Sequence, residues 1–218
     1  MDSQERNLRS DIVAACRKLE RKDLIVENDG NLSCRAGEGR ILITPSGISK
    51  ADIEPEDLML TDMAGEVIAG THKPSSEIRM HLQVYRDRPD VFAVVHAHPP
   101  MATAFTLAGF PFHAKALPET WMTIGPVPMA PYATPSTDEV PKAIAPYVAG
   151  HRAILLTRHG ALTFGKSVYE ACMRMEKIEH AAKILFYASI LEDRKLPAAM
   201  TDGQIRRIEE ALKLLSGT

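Results

Sequence analysis

The sequence contains little cysteine: Cys16, Cys34 and Cys172 are the three in 218 residues. They lie far apart and form no Cys-x-x-Cys pair. Their odd number and scattered positions argue against a disulfide framework and favour a reducing compartment.

Long apolar runs and an excess of one charge are also missing. No run approaches the roughly 20 residues that cross a bilayer, and segment 1–18 is charged and amphipathic, unlike a signal peptide. With 26 basic and 28 acidic residues, the net charge is −2. Neither a nucleic-acid backbone nor an anionic membrane is therefore an expected partner. We expect a cytoplasmic protein.

The chain also lacks repeats, low-complexity tracts and a Pro/Gly/Ser-rich linker, so we expect one domain over residues 1–218. Apolar periodicity and capping residues predict helices at 4–20, from 75 or 76 to 86, from 99, and at 137–148, 167–191 and 202–215. Short strands are predicted at 32–35, 40–44, 58–61, 67–68, 91–96, 127–131, 153–156 and 161–163. The fold class predicted from these elements is α/β: a three-layer α/β/α domain around a mostly antiparallel sheet.

Three histidines follow apolar segments that we interpret as strands. His96 and His98 are one residue apart, and His159 follows a second apolar run. Strand side chains alternate, so His96 and His98 should project from one face about 6–7 Å apart. Imidazole is the commonest metal ligand, and three such nitrogens with an open position describe a catalytic site. Zn²⁺ fits best, with Co²⁺, Mn²⁺ or iron as alternatives. The competing interpretation is hydrogen-bonded histidines near strand ends.

Three turn-like segments predict an anion site. They are 28–33, 44–47 and 73–77, each with small side chains and exposed backbone N–H groups. Each alone would be an ordinary turn or helix cap, but together they suggest a phosphate cradle at a helix N-terminus. Glu77 lies at the end of the third segment. A carboxylate beside a bound metal can act as a fourth ligand or as a general base.

These motifs occur in a distinctive order. They read Asn-Leu-Ser after a glycine, Ile-Thr-Pro-Ser-Gly, Pro-Ser-Ser-Glu with a histidine four residues later, Val-Val-His-Ala-His, Ala-Pro-Tyr-Ala-Thr and Arg-His-Gly-Ala. The series resembles the class II aldolase/adducin-head family over nearly the whole chain, and is most similar to its zinc-dependent fuculose-phosphate aldolase type. The resemblance implies a homotetramer with active sites at subunit interfaces.

The resemblance also implies roles for particular residues. The metal ligands would be His96, His98, His159 and Glu77, and Glu77 would also carry protons. The implied phosphate site comprises Asn28, Asn31, Ser46, Gly47, Ser75 and Ser76.

The implied reaction cleaves a ketose 1-phosphate to dihydroxyacetone phosphate and an aldehyde. A metal on two substrate oxygens would stabilise the negative charge left at C3, and the phosphate would orient the reacting carbons. A pentulose-phosphate dehydratase or epimerase is the alternative on the same scaffold, although Glu77 favours an aldolase because similar epimerases typically carry aspartate there. The family also includes decarboxylases. An alternative of another class is a non-catalytic binding module, against which the complete ligand set argues.

One departure concerns the departing aldehyde. The fuculose type uses one tyrosine in the segment corresponding to 110–119 and another in its tail, and neither 110–119 nor 214–218 contains tyrosine here. His113, Lys115 and Glu119 are the candidate acids for the aldehyde oxygen; alternatively, the segment is only an interface loop. The nearby apolar residues are Phe112, Leu117, Trp121 and Met122. They predict an apolar aldehyde pocket and hence deoxy- or methylthio-pentulose 1-phosphates as substrates.

Overall fold

The computed structural model describes residues 3–193 and 195–216, with side chains up to residue 214. The predicted domain 1–218 and its tail therefore include residues 1, 2, 194, 217 and 218, which lie outside the described residues. The helices are α1 Ser3–Glu20, α2 Ile78–Asp87, α3 Pro100–Ala108, α4 Pro118–Thr123, α5 Glu139–Val148, α6 Val168–Leu191 and α7 Asp202–Ser216. In this part of the chain, every helix is too short or too polar to cross a membrane.

One sheet of eight strands forms the centre of the fold. The strands are β1 Asn31–Arg35, β2 Arg40–Ile43, β3 Met59–Asp62, β4 Val67–Ala69, β5 Ala93–Ala97, β6 Met129–Ala130, β7 Ala153–Leu156 and β8 Gly160–Gly165. Their spatial order is β4-β3-β2-β1-β5-β8-β7-β6. Only the β6–β7 pair is parallel among these strands. The predicted α/β class and mostly antiparallel sheet are confirmed, as a single mixed sheet.

The alternation of side chains along β5 determines the face of the sheet from which His96 projects. Val95 belongs to a hydrophobic cluster with residues of α1, α3 and α6, whereas Val94 packs in a second cluster with residues of α2 and α5. His96 shares the parity of Val94 and projects to the α2 side of the sheet. The neighbouring strand β1 pairs in a register that places Asn31 opposite His96.

Several element boundaries differ from the sequence-based prediction. Helix α2 begins at Ile78 with Glu77 as N-cap, rather than being capped by Ser75 or Ser76. Residues 74 and 75 are instead tied to the end of β2, through a bridge between Pro45 and Pro74 and a bond from Ser75 N to Thr44 O. Strand β6 has two residues rather than five, β8 extends to residue 165, and the helix α4 was not predicted.

Candidate metal centre

The three histidines predicted to bind a metal meet at one end of the sheet. His96 lies near the end of β5, His98 follows that strand, and His159 occupies the turn between β7 and β8. Their ring centroids are 4.6–5.2 Å apart. One ligand nitrogen from each ring lies within 4.8 Å of the others. The end of β5 and the turn between β7 and β8 therefore bring His159 close to His96 and His98, although more than 60 positions separate it from them.

The backbone around His159 is specialised for this approach. Arg158 has a φ of +61°, a left-handed conformation that costs a non-glycine residue energy and often marks a functional site. A Cβ on Gly160 would collide with the Ala97 carbonyl oxygen and lie 2.8 Å from His98 Cδ2. Glycine at position 160 is therefore required for the start of β8 to lie against His98.

Glu77 supplies a carboxylate to the same centre. Its Oε2 lies 3.2 Å from His96 Nε2, and its Oε1 lies 3.3 Å from His159 Nε2. Asn31 Nδ2 donates to Oε2 over 3.0 Å. The other oxygen, Oε1, is buried and accepts no hydrogen bond from the described residues.

These distances fit a small divalent metal ion. Four ligand atoms at the corners of a tetrahedron, each about 2.0–2.1 Å from zinc, stand about 3.3 Å apart. The His98 and His96 Nε2 atoms are 3.1 Å apart, close to that spacing and to the two contacts of Glu77. The unsatisfied Oε1 is a further buried atom that a cation would satisfy. Three imidazoles and one carboxylate suit Zn²⁺, Co²⁺ or Mn²⁺.

The electrostatics of the centre favour ligand forms at neutral pH. Burial alone would raise the pKa of Glu77, but His96, His159 and Asn31 outweigh burial and lower that pKa well below its usual range. Burial, together with repulsion from His96, lowers the pKa of His98 and of His159 to about 4. Their nitrogens are therefore free to bind a cation.

The pKa of His96 shifts in the opposite direction, upward. Burial lowers its pKa, but the charge of Glu77 and the bonds to Glu77 and Ala161 outweigh burial and raise it. Its Nδ1 donates to Ala161 O over 3.0 Å, which leaves Nε2 directed at the centre. Without a metal, Glu77 thus stabilises a proton on His96, and a cation at that position would replace the proton.

The six predicted phosphate residues line one cavity together with Glu77, His98 and His159. Its volume is about 320 Å³, in the range for a small ligand. The lining residues are Asn28, Asp29, Gly30, Asn31, Pro45, Ser46, Gly47, Ser75, Ser76, Glu77, His98, Pro135, Ser136 and His159. Ser46 Oγ accepts a hydrogen bond from Ser76 N over 3.2 Å, and Gly47 has a φ of +77°. The loops of 28–31, 45–47 and 75–77 therefore form one cradle.

Two residues of this cavity were missed by the sequence analysis. Asp29 Oδ2 lies 3.5 Å from His98 Nδ1, where a carboxylate can orient a ligand imidazole. Ser136 Oγ lies 2.9 Å from Ser76 Oγ and its backbone has a φ of +62°. The position of Asp29 next to Asn28 could have indicated its role, whereas Ser136 lies 60 residues from its partner.

The proposed aldehyde-side residues do not line this cavity in the described part of a single chain. His113, Lys115, Phe112 and Trp121 line a separate cavity of about 390 Å³, and Met122 lines a third. Glu119 is exposed near the start of α4, and Leu117 packs against the cluster of α1, α3 and α6. Helix α4 packs against α6 and α7, which draws the segment away from the histidines. The described residues of one chain therefore do not place these apolar side chains at the histidines, and the predicted apolar aldehyde pocket stays a prediction for a subunit interface.

The chain is similar to proteins of one known family. A family model described as "Class II Aldolase and Adducin N-terminal domain" matches residues 10–186. The chain belongs to this family. The resemblance predicted from the sequence is thus confirmed.

Two curated relatives of this class II aldolase family member carry different activities. A 3-oxo-tetronate 4-phosphate decarboxylase of Escherichia coli O6:H1 is 33% identical and covers 94% of this chain and 96% of its own. A 5-methylthioribulose-1-phosphate/5-deoxyribulose-1-phosphate aldolase of Rhodospirillum rubrum is 34% identical, over 94% and 91%. A solved L-fuculose 1-phosphate aldolase superposes with a TM-score of 0.85 at 31% identity, covering 98% of each chain.

Proposed function

We propose that this protein is a metal-dependent lyase that cleaves a ketose 1-phosphate into dihydroxyacetone phosphate and an aldehyde. The observation that carries the proposal is one cavity lined by Glu77, two of the three converging histidines and all six phosphate-loop residues. The aldolase relatives of the family support the same reaction class. We favour 5-deoxy- and 5-methylthio-pentulose 1-phosphates as substrates.

Binding would begin at the phosphate loops. The hydroxyls of Ser46, Ser75 and Ser76 line the cavity and can donate to phosphate oxygens. In the absence of ligand, Ser46 Oγ donates to Pro74 O and accepts from Ser76 N, so bound phosphate would compete for these groups. Fixing the phosphate holds the carbonyl and the bond to be cleaved near Glu77, which lowers the entropic cost of reaction.

His96, His98 and His159 would hold the metal, and Glu77 would be its fourth ligand while no substrate is bound. When bound, the metal supplies Lewis-acid stabilisation of the negative charge that develops beside the substrate carbonyl. Substrate that takes the place of Glu77 would release its carboxylate, which could then accept a proton from a substrate hydroxyl. It can return that proton to the carbon of the phosphate-bearing half after the bond breaks.

A decarboxylase is the second candidate, favoured by what the cavity lacks. None of His113, Lys115 and Glu119 lines it in the described chain, so no group from that segment is at hand to exchange a proton with an aldehyde oxygen. Loss of CO₂ from a β-keto acid requires no such group. The E. coli relative is named for that reaction, and its named substrate would also leave dihydroxyacetone phosphate.

A homotetramer with active sites at subunit interfaces is part of the aldolase proposal. A partner subunit could supply His113, Lys115 or Glu119 as the group that takes the proton from the hydroxyl that becomes the aldehyde oxygen. Light scattering tests the tetramer, since a monomer that nevertheless cleaves ketose phosphates would contradict a contribution from a partner.

The two hydrophobic clusters support the three-layer arrangement. The cytoplasmic location stays a prediction.

The deciding assay couples dihydroxyacetone phosphate to NADH oxidation. The panel comprises fuculose, ribulose, 5-deoxyribulose and methylthioribulose 1-phosphates and 3-oxo-tetronate 4-phosphate, with Zn²⁺-loaded and chelated protein. Release together with an aldehyde supports the aldolase, and release together with CO₂ supports the decarboxylase.

Glu77→Gln should abolish turnover, whereas the exposed control Glu38→Gln should retain it. An isomer of equal mass, or a product lighter by water, would overturn both candidates in favour of an epimerase or dehydratase. No turnover by the metal-loaded protein would also overturn them.

A further inference from the structure

A line of buried polar side chains extends from Glu77 away from the cavity. Asn31 Oδ1 lies 2.6 Å from His81 Nε2, and His81 Nδ1 lies 2.6 Å from Ser33 Oγ. Ser33 Oγ lies 2.8 Å from the hydroxyl of Tyr85. All four of these side chains are at most 4% exposed. Buried polar groups in such numbers are costly unless every member is paired.

The line follows from two matching periodicities. Glu77, His81 and Tyr85 recur every four residues at the start of α2 and along it, and so share one helix face with a rise of about 6 Å per step. Asn31 and Ser33 are two residues apart on β1 and share one strand face, about 6.7 Å apart. The two spacings are nearly equal, so the polar side chains of the helix and of the strand alternate along the line.

The chemistry of the end group fixes the direction of every hydrogen bond. The Glu77 carboxylate only accepts, so the Asn31 amide nitrogen must face it and Asn31 Oδ1 must face His81. His81 Nε2 must therefore carry the proton that Oδ1 accepts. Burial lowers the pKa of His81 to about 3, so the ring is neutral and its Nδ1 accepts from Ser33 Oγ. Tyr85 in turn donates to Ser33 Oγ.

We propose that His81 is a positioning residue: by donating from Nε2 to Asn31, it holds the Asn31 amide nitrogen toward Glu77 and the phosphate cradle. With the amide reversed, Oδ1 would face the Glu77 carboxylate and repel it. The amide nitrogen has two hydrogens, of which Glu77 uses one. The second remains for a ligand in the cavity that Asn31 lines.

The directions of these hydrogen bonds are a property of the protein itself, whereas their effect on catalysis rests on the proposed function. ¹⁵N NMR of the imidazoles in metal-free protein tests the first point directly. We expect His81 to be the neutral tautomer protonated at Nε2. A neutral ring protonated at Nδ1 would overturn the proposal, because Asn31 Oδ1 would then lose its donor.

Substitutions test whether the His81 Nε2–H donor affects metal binding by the histidines and Glu77. His81→Gln keeps an N–H close to the Nε2 position, whereas His81→Leu removes it. The matched control is Thr163→Val, which removes a buried hydroxyl that donates to Ala171 O from the neighbouring strand. The readouts are Zn²⁺ affinity, by competition with a chelating dye, and the separate values of kcat and KM.

We expect His81→Leu to weaken Zn²⁺ binding about tenfold, in line with other residues that orient metal ligands. His81→Gln should restore it to within about threefold, and Thr163→Val should leave it unchanged. Equal losses in the two His81 variants, or an equal loss in the control, would overturn the proposal. If His81→Leu fails to fold, the tautomer alone decides. The expected tautomer and Zn²⁺ pattern without any product would leave the positioning role intact and refute the proposed reaction.

Discussion

Lowering the pH should destabilise the protein through His81. The ring is fully buried, and burial together with repulsion from the charge of His96 lowers its pKa to about 3, although Glu77 opposes the shift. In the unfolded chain the same ring titrates near its usual value of about 6.5. Between these two values the unfolded chain binds the extra proton. This contribution therefore favours unfolding progressively as the pH falls from about 6.5 to about 3.

The size of this effect follows from the two pKa values. At about pH 5 the unfolded ring is mostly charged and the folded ring is still neutral. The difference of about 1.5 units between 6.5 and 5, at about 1.4 kcal/mol per unit, gives about 2 kcal/mol. Total stabilities of domains are about 5–15 kcal/mol, so a loss of this size is readily measured.

Urea unfolding of metal-free protein at about pH 7 and about pH 5 measures the effect. His81→Gln cannot titrate, so its free energy of unfolding should fall between the two conditions by about 2 kcal/mol less than that of the wild type. His180→Gln is the matched control at an exposed histidine on α6 and should behave like the wild type. The reasoning is refuted if His81→Gln loses as much stability as the wild type over this interval.

Three further predictions concern other parts of the chain. Gly160→Ala should reduce Zn²⁺ affinity at least about tenfold in a dye competition, because its Cβ must push away Ala97 and His98; unchanged affinity would contradict this. Ser46→Ala should raise KM for a phosphorylated substrate about tenfold with a smaller change in kcat, and an unchanged KM would remove this hydroxyl from the phosphate site. Glu179→Ala should cost about 2 kcal/mol in urea unfolding, because this buried carboxylate accepts from two backbone N–H groups in the first turn of α3; a loss below about 0.5 kcal/mol would show that water replaces it.

Short-range sequence patterns identified residues that the structure brings together around one cavity. The two-residue spacing of His96 and His98 placed both rings at one strand end, and the turn residues around Ser46 and Ser75 indicated the cradle. Such patterns depend only on the local backbone, so periodicity and turn chemistry suffice to find them.

The partners of these residues depend on register and could not be predicted. Asn31 reaches Glu77 across 46 residues because β1 pairs with β5 in one particular register. The bonds from His81 to Asn31 and Ser33 require helix α2 to pack over β1 at a matching height. Nothing in the local spacing of either element specifies that height. The same holds for segment 110–119, whose path is decided by the packing of α4 against α6 and α7.

The distinction between aldolase and decarboxylase has a physical location in this fold. Both reactions need a bound phosphate, stabilised charge beside a carbonyl, and a proton for the carbon left behind. Under the proposed function, the loops at 28–31, 45–47 and 75–77, together with the histidines, would serve all three needs. The reactions differ only at the departing half, where the hydroxyl that becomes the aldehyde oxygen must pass its proton to an acceptor, whereas a carboxylate that leaves as CO₂ has no such proton. Among the described residues of one chain, segment 110–119 brings no such acceptor to the cavity. A residue supplied by a partner subunit would therefore decide between the two reactions.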